Sequence, residues 1–250
     1  MALRQSLGMV REDVSPCHSI TIGFDLAPVG RERFDFGSLT YYPERTADRM
    51  AYLSLFPIGT VMRANFMVYR DLRDPWLGKF EERPEAALLA CMPGLQKLTG
   101  NFAVAGPIKI RPADLYVTRD CLQPGIVLVG DAFATSCPAA GTGTGKVFTD
   151  VERLCSMHIP RWFATDGMAA EKIASFYADP EKRACDAHSI AKAYSLRFLS
   201  IDDSALWRAR RLGRFLARCA VGVLRQMHAS AIRSSRTETS TTAVELRKPA

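Results

Sequence analysis

One stretch of this sequence gathers residues able to do chemistry together: Gly130-Asp131-Ala132, then Pro138, then Gly141-Thr142-Gly143-Thr144-Gly145, with Asp150 farther on. Upstream, Gly125-Ile126-Val127-Leu128-Val129-Gly130 is an uninterrupted apolar run, which predicts a strand covered on both faces and ending in Gly-Asp. A carboxylate just past such a strand accepts hydrogen bonds from the hydroxyls of a polyol, each worth about 1.5–3 kcal/mol when charge-assisted. The glycine beside it lets a ligand come close to the backbone. The Pro- and Gly-rich loop then opens a helix predicted over Lys146–Cys155. Its first amides are free, and its dipole places roughly half a positive charge at that end, which suits an electron-rich, partly anionic ring edge.

Gly-Asp-Ala, the later Pro-x-x-Gly-x-Gly and the Asp in the next helix resemble the second flavin motif of the FAD monooxygenases similar to para-hydroxybenzoate hydroxylase. The resemblance implies FAD as cofactor and NADPH or NADH as a transient reductant. By position it gives Asp131 the ribityl chain, and sets Gly130, Pro138, Gly141, Thr142, Gly143 and Thr144 around the pyrimidine side of the ring. Ala51–Gly59 resembles the strand and turn that line the substrate cavity in these enzymes, which makes Tyr52 and Phe56 substrate-lining. The implied activity is hydroxylation of a small aromatic or other apolar substrate. A reductase or saturase of isoprenoid chains on the same scaffold, and a non-catalytic fragment or interaction protein, are the alternatives. Ser54 stands where the polyprenyl reductases have Trp, and the Trp-x-Trp-x-Ile-Pro element of flavin halogenases is absent. Chemistry of this kind belongs largely to the flavin, so no catalytic acid or base is assigned.

The family begins with a βαβ unit whose G-x-G-x-x-G loop receives the pyrophosphate, and no such pattern precedes the motif here. The resemblance covers about residues 1 to 180 and joins the family mid-chain. The expectation is an N-terminally truncated flavoprotein, by a gene-start error, as a true fragment, or with the missing unit supplied by a partner, and the chain by itself is expected to bind FAD weakly or not at all.

Two other readings of the glycines fail. A P-loop requires G-x-x-x-x-G-K-[ST], but Ala140 occupies the first glycine position and Val147 follows Lys146; Gly141, Gly143 and Gly145 give G-x-G-x-G and not the dinucleotide fingerprint. Seven cysteines without a C-x-x-C pair, and four histidines without i, i+4 spacing, predict reduced thiols and no metal site.

The elements that must position this motif are an antiparallel sheet and a set of helices. Alternating or β-branched runs at Ser19–Leu26, Phe34–Tyr42, Met50–Leu55, Val61–Tyr69 and Ile108–Val117 predict strands separated by Gly, Pro and Asp signals. Helical spacing predicts one helix over Pro84–Leu98, others at Lys146–Cys155 and Ala169–Tyr177, and mainly helix over Ser189–His228. That last segment should cover a core edge with Leu212, Phe215, Leu216, Cys219, Val223 and Leu224 while presenting Arg211, Arg214, Arg218 and Arg225 to solvent. The fold class is therefore mixed α/β (α+β): a partial FAD/NAD(P)-binding fold with an antiparallel substrate-domain sheet and C-terminal helices, lacking the N-terminal Rossmann βαβ unit. The expected divisions are a substrate sheet and helix at 1–120, the flavin-facing segment at 121–180, basic helices at 181–233 and a disordered tail at 234–250.

A chain of 250 residues, 48% apolar, buries a sizeable core. Its net charge of +7 is uneven: from Lys182 onward 14 lysines and arginines face 5 acids, a local +9, and the first 181 residues sum to −2. No nucleic-acid partner is expected; weak peripheral contact with an anionic membrane is, through the basic C-terminal helices. With neither a spanning segment nor a secretory signal, the expected location is the cytoplasm.

Overall fold

The computed structural model describes residues 2–224, which form two units: residues up to Ile201 and residues from Asp202 onward. In the first unit a short helix α1 (Ala2–Ser6) leads into β1 (Val10–Pro28), followed by β2 (Leu39–Tyr41), β3 (Met50–Ile58) and β4 (Val61–Val68). Helices α2 (Pro75–Glu82), α3 (Pro84–Cys91) and α4 (Leu95–Thr99) precede β5 (Phe102–Arg119). The five strands form one antiparallel sheet in the order β2-β3-β4-β1-β5. The expected mixture of helix and antiparallel sheet is what folds, and among the described residues no parallel βαβ unit occurs.

Strict alternation in β1 explains why the sheet has two unlike faces. Ile20, Ile22, Phe24 and Leu26 point to one side and are buried, joining Leu53, Leu55, Phe66 and the helical residues Leu77, Phe80, Leu88 and Leu95 in the main core. Thr21, Gly23 and Asp25 point the other way. β5 keeps Ile108 and Ile110 against the core while Lys109 and Arg111 face outward. It carries Pro107 and Pro112 as well, tolerable because β5 is an edge strand.

Several expectations need correction. Only Leu39–Tyr41 of the run expected over Phe34–Tyr42 is strand; Phe34 and Phe36 instead pack on the core from a loop. The helix expected over Pro84–Leu98 breaks into α3 and α4, because Pro93 forces Met92 out of helical geometry (φ −135°, ψ 71°). Helix α2 was not foreseen, although Asp74-Pro75 is a start signal: Asp74 accepts the Trp76 amide at 2.9 Å, and that bond, with Arg70, holds its carboxyl below the usual range. The predicted strand Gly125–Gly130 is not a strand. Val129 is extended (φ −121°, ψ 156°), but no described strand lies beside the segment, and the Leu128 amide donates to the Tyr177 hydroxyl at 2.8 Å. Val127 and Val129 pack on a small cluster around Trp162, Ile173 and Phe176.

Beyond β5 come two 3₁₀ turns, Gly130–Ala132 and Pro138–Ala140, then α5 (Gly143–Arg153), a π-turn (Leu154–His158), α6 (Ile159–Phe163), α7 (Ala170–Tyr177) and α8 (Pro180–Ile201). Helix α8 buries Lys182, Ser189, Ala193 and Ser200, so this part of the C-terminal segment does cover a core edge. In the second unit residues 205–224 are helical, and Leu212, Phe215, Leu216, Val223 and Leu224 are 55–64% exposed. Arg225, the end of the helix expected to His228, and the tail from Ser234 lie outside the described residues.

Candidate functional site

The site is built around a backbone turn that only glycine fits. Gly130 adopts φ +55°, and a Cβ there would meet Val147 Cγ2 of α5 at 2.5 Å. The missing side chain lets α5 lie directly against the Gly-Asp turn. The Gly130 amide donates to Asp150 Oδ2 at 2.7 Å, so the acid of α5 clamps the turn from behind.

Asp131, next in line, is exposed. Its Oδ1 accepts the Ser136 amide at 3.0 Å, and Oδ2 has no protein partner among the described residues. Asp131, Gly143, Thr144, Val147 and Phe148 line one open hollow of about 430 Å³. Gly141, at φ +64°, turns the chain from Pro138–Ala140 into α5. Thr142 anchors the start of the helix, its Oγ1 2.7 Å from Ser189 Oγ of α8, and does not cap it. The first-turn amides of Gly143, Thr144 and Gly145 have no acceptor within the helix.

Of the expected flavin-side residues, Asp131, Gly143 and Thr144 therefore share the hollow. Gly130 is buried behind it, and Pro138, Gly141 and Thr142 form the connection. Tyr52 and Phe56 do not line the hollow. Tyr52 ties the sheet to the turn by donating to the Ala139 carbonyl at 2.9 Å, and burial raises its phenol. Phe56 lies farther along the same face of β3, opposite Arg63.

Beneath the turn is a buried ionic network that spacing did not announce. Lys182 of α8, fully buried, lies 3.1 Å from both Asp150 and Asp186, and its ammonium sits 4.2 Å from the Phe133 ring centre. Lys146 donates to the Ala134 carbonyl and forms an ion pair with Asp186 Oδ1 at 2.9 Å. Two lysines and two aspartates neutralise each other, as burial demands.

A second constellation joins Ser175, His158 and Asp179: His158 Nδ1 is 3.3 Å from Ser175 Oγ, and Nε2 is 3.0 Å from Asp179 Oδ2. It is not a nucleophilic relay, because the Ser175 hydroxyl already donates to the Lys172 carbonyl at 2.6 Å and accepts the Trp162 indole N–H. Asp179 caps α8 through the Glu181 and Lys182 amides. Burial alone would raise its carboxyl, but Arg153, the Lys182 amide and His158 outweigh that and hold it well below the usual carboxylate range.

No grouping of His, Cys, Asp and Glu among the described residues could hold a metal, and no described helix is long and apolar enough to cross a membrane.

Neither a protein-family model nor any curated protein sequence matches this chain. Solved structures do. A p-nitrophenol 4-monooxygenase from Pseudomonas putida superposes with a TM-score of 0.58 at 12% identity, over 86% of this chain and 51% of that one. A flavin-dependent halogenase gives 0.54 at 15%, over 82% and 37%, and a Diels-Alderase from the biosynthesis of pyrroindomycins gives 0.54 at 16%, over 87% and 44%. The chain spans about half or less of the length of these structures, and at such identities the likeness is one of fold: this protein has the fold of a part of the flavin-dependent monooxygenases and halogenases.

Proposed function

We propose that this protein is an FAD-binding oxidoreductase, and that its reaction is NAD(P)H-dependent hydroxylation of an aromatic or similarly apolar substrate. The observation that carries the reading is the meeting of Asp131 with the free first turn of α5 around one hollow. A carboxylate acceptor and a row of amide donors suit the two ends of a ribityl-isoalloxazine: hydroxyls on one side, an electron-rich ring edge on the other.

When bound, the flavin would supply electron transfer from the nicotinamide and the activation of dioxygen. The chain's own residues bind and orient. Asp131 would hold the ribityl hydroxyls, the amides of Gly143 and Thr144 would face the ring's carbonyl edge, and Asp150 would fix the Gly130 turn from which Asp131 projects. Val147 and Phe148 offer apolar lining. Proteins of this fold include a monooxygenase, a halogenase and a Diels-Alderase, so the fold does not select the reaction.

Riboflavin, which carries ring and ribityl without the ADP part, tests the site directly. Its affinity should fall about ten- to a hundredfold in Asp131→Ala, the equivalent of about 1.5–3 kcal/mol.

A further inference from the structure

The turn between α6 and α7 encloses a cation that belongs to the chain itself. Lys172, in the first turn of α7, points its ammonium back into that turn and donates to four backbone carbonyls: Trp162 at 2.7 Å, Thr165 at 2.8 Å, Asp166 at 3.2 Å and Gly167 at 2.8 Å. An ammonium has three N–H donors, so the longest of these contacts, to Asp166, shares one of them. Trp162 belongs to the last turn of α6, where carbonyls lack helical partners and the dipole favours positive charge. Gly167, at φ +70°, curls the chain so that three successive carbonyls reach one centre. Carbonyl oxygens gathered in this way replace the water around a cation.

The cage stands at the base of a clamp on the Gly125–Gly130 run. Met168, next in the turn, accepts the Gly125 amide through its carbonyl at 3.1 Å, and the Tyr177 hydroxyl at the far end of α7 accepts the Leu128 amide at 2.8 Å. Between these two bonds Val127 and Val129 pack on the cluster of Trp162, Ile173 and Phe176, which Met168 also joins. A run with no described strand beside it is thus held by α7 and the turn before it. It leads directly into Gly130 and Asp131, and Asp131 lines the proposed flavin hollow.

We infer that the α6–α7 turn is a cage for an ammonium-type cation, filled by Lys172, and that this charge makes Lys172 a positioning residue for the Asp131 site. Its bearing on the ligand rests on the flavin reading; the cage does not.

Amide hydrogen exchange of the 250-residue protein, followed by NMR, tests the inference in wild type, Lys172→Met and Lys172→Ala. The methionine fills the space without a charge, and the alanine leaves room for an ion. Exchange at Gly125 should quicken at least about tenfold in both variants, the equivalent of one charge-assisted bond, while the amides of β1 keep wild-type protection. Ammonium chloride should restore protection saturably in Lys172→Ala and not in Lys172→Met. Tetramethylammonium chloride at equal ionic strength should restore neither, because it carries the charge without N–H donors. Riboflavin affinity should fall in both variants and recover with ammonium in Lys172→Ala. Wild-type exchange at Gly125 in Lys172→Met, or no advantage of ammonium over tetramethylammonium in Lys172→Ala, would overturn the cage. Riboflavin binding that neither variant weakens would overturn the positioning role. Ammonium rescue of exchange in a protein that binds no riboflavin would leave the cage standing and remove the flavin reading.

Discussion

Asp179 shows how far a single residue can be committed. It caps α8, accepts from Arg153 and faces His158, all while 4% exposed. Its folded-state acidity is depressed relative to an unfolded carboxylate near 3.9. The stability it contributes is therefore fully present above about pH 4 and is lost as pH falls toward the lower folded value. Urea unfolding from pH 7 to pH 2 should show a stability decline below about pH 4 that is shallower in Asp179→Asn, which should also be less stable at neutrality. Parallel slopes in the two proteins would remove Asp179 from the account. At this scale the sequence was most legible where chemistry is local: Gly130, Asp131 and the glycines up to Gly145 lie within sixteen residues, and the fold places the acid and the helix start around one hollow. It was least legible at Lys182 and Asp186. Their partners Asp150 and Lys146 are more than thirty residues away, and a lysine in a basic segment looks like any solvated lysine.

Among the elements, β3, β4, α5 and α7 lie close to where alternation and helical spacing put them, since each has an apolar face that its own sequence defines. The run Gly125–Gly130 failed for the opposite reason. An all-apolar stretch says that something covers it, but a strand exists only with a neighbour to pair with. Helix packing supplies a second test. Lys182 of α8 and Asp150 of α5 are both fully buried, so Lys182→Met leaves the Asp150 carboxylate without a cationic partner, while Asp186 keeps Lys146, and should cost about 3–5 kcal/mol in chemical denaturation. Adding Asp150→Asn should recover part of that loss; a single variant within about 0.5 kcal/mol of wild type would show that the network does not hold the helices. The helix at 205–224 carries five arginines and no acid, with Leu212, Phe215, Leu216 and Val223 exposed on one stripe. It is expected to bring the chain weakly to anionic vesicles, in sedimentation assays that lose the signal at high salt. Equal binding to neutral vesicles would rule out the electrostatic version.

For the molecule as a whole, one sheet carries two jobs on two faces. Its inner face builds the core with α2, α3 and α4, and its outer face supports the turn that starts α5. Likeness in fold to a monooxygenase and a halogenase at 12–15% identity gives the scaffold, and the reading of function rests on the site. That reading is most directly tested by fluorescence titration of riboflavin and FAD into the 250-residue protein and its Asp131→Ala variant. The account predicts saturable riboflavin quenching that weakens about ten- to a hundredfold in the variant. It also predicts FAD no tighter than riboflavin, since the sequence carries no G-x-G-x-x-G loop for the pyrophosphate. Absence of saturable binding, or equal affinity in wild type and Asp131→Ala, would contradict it.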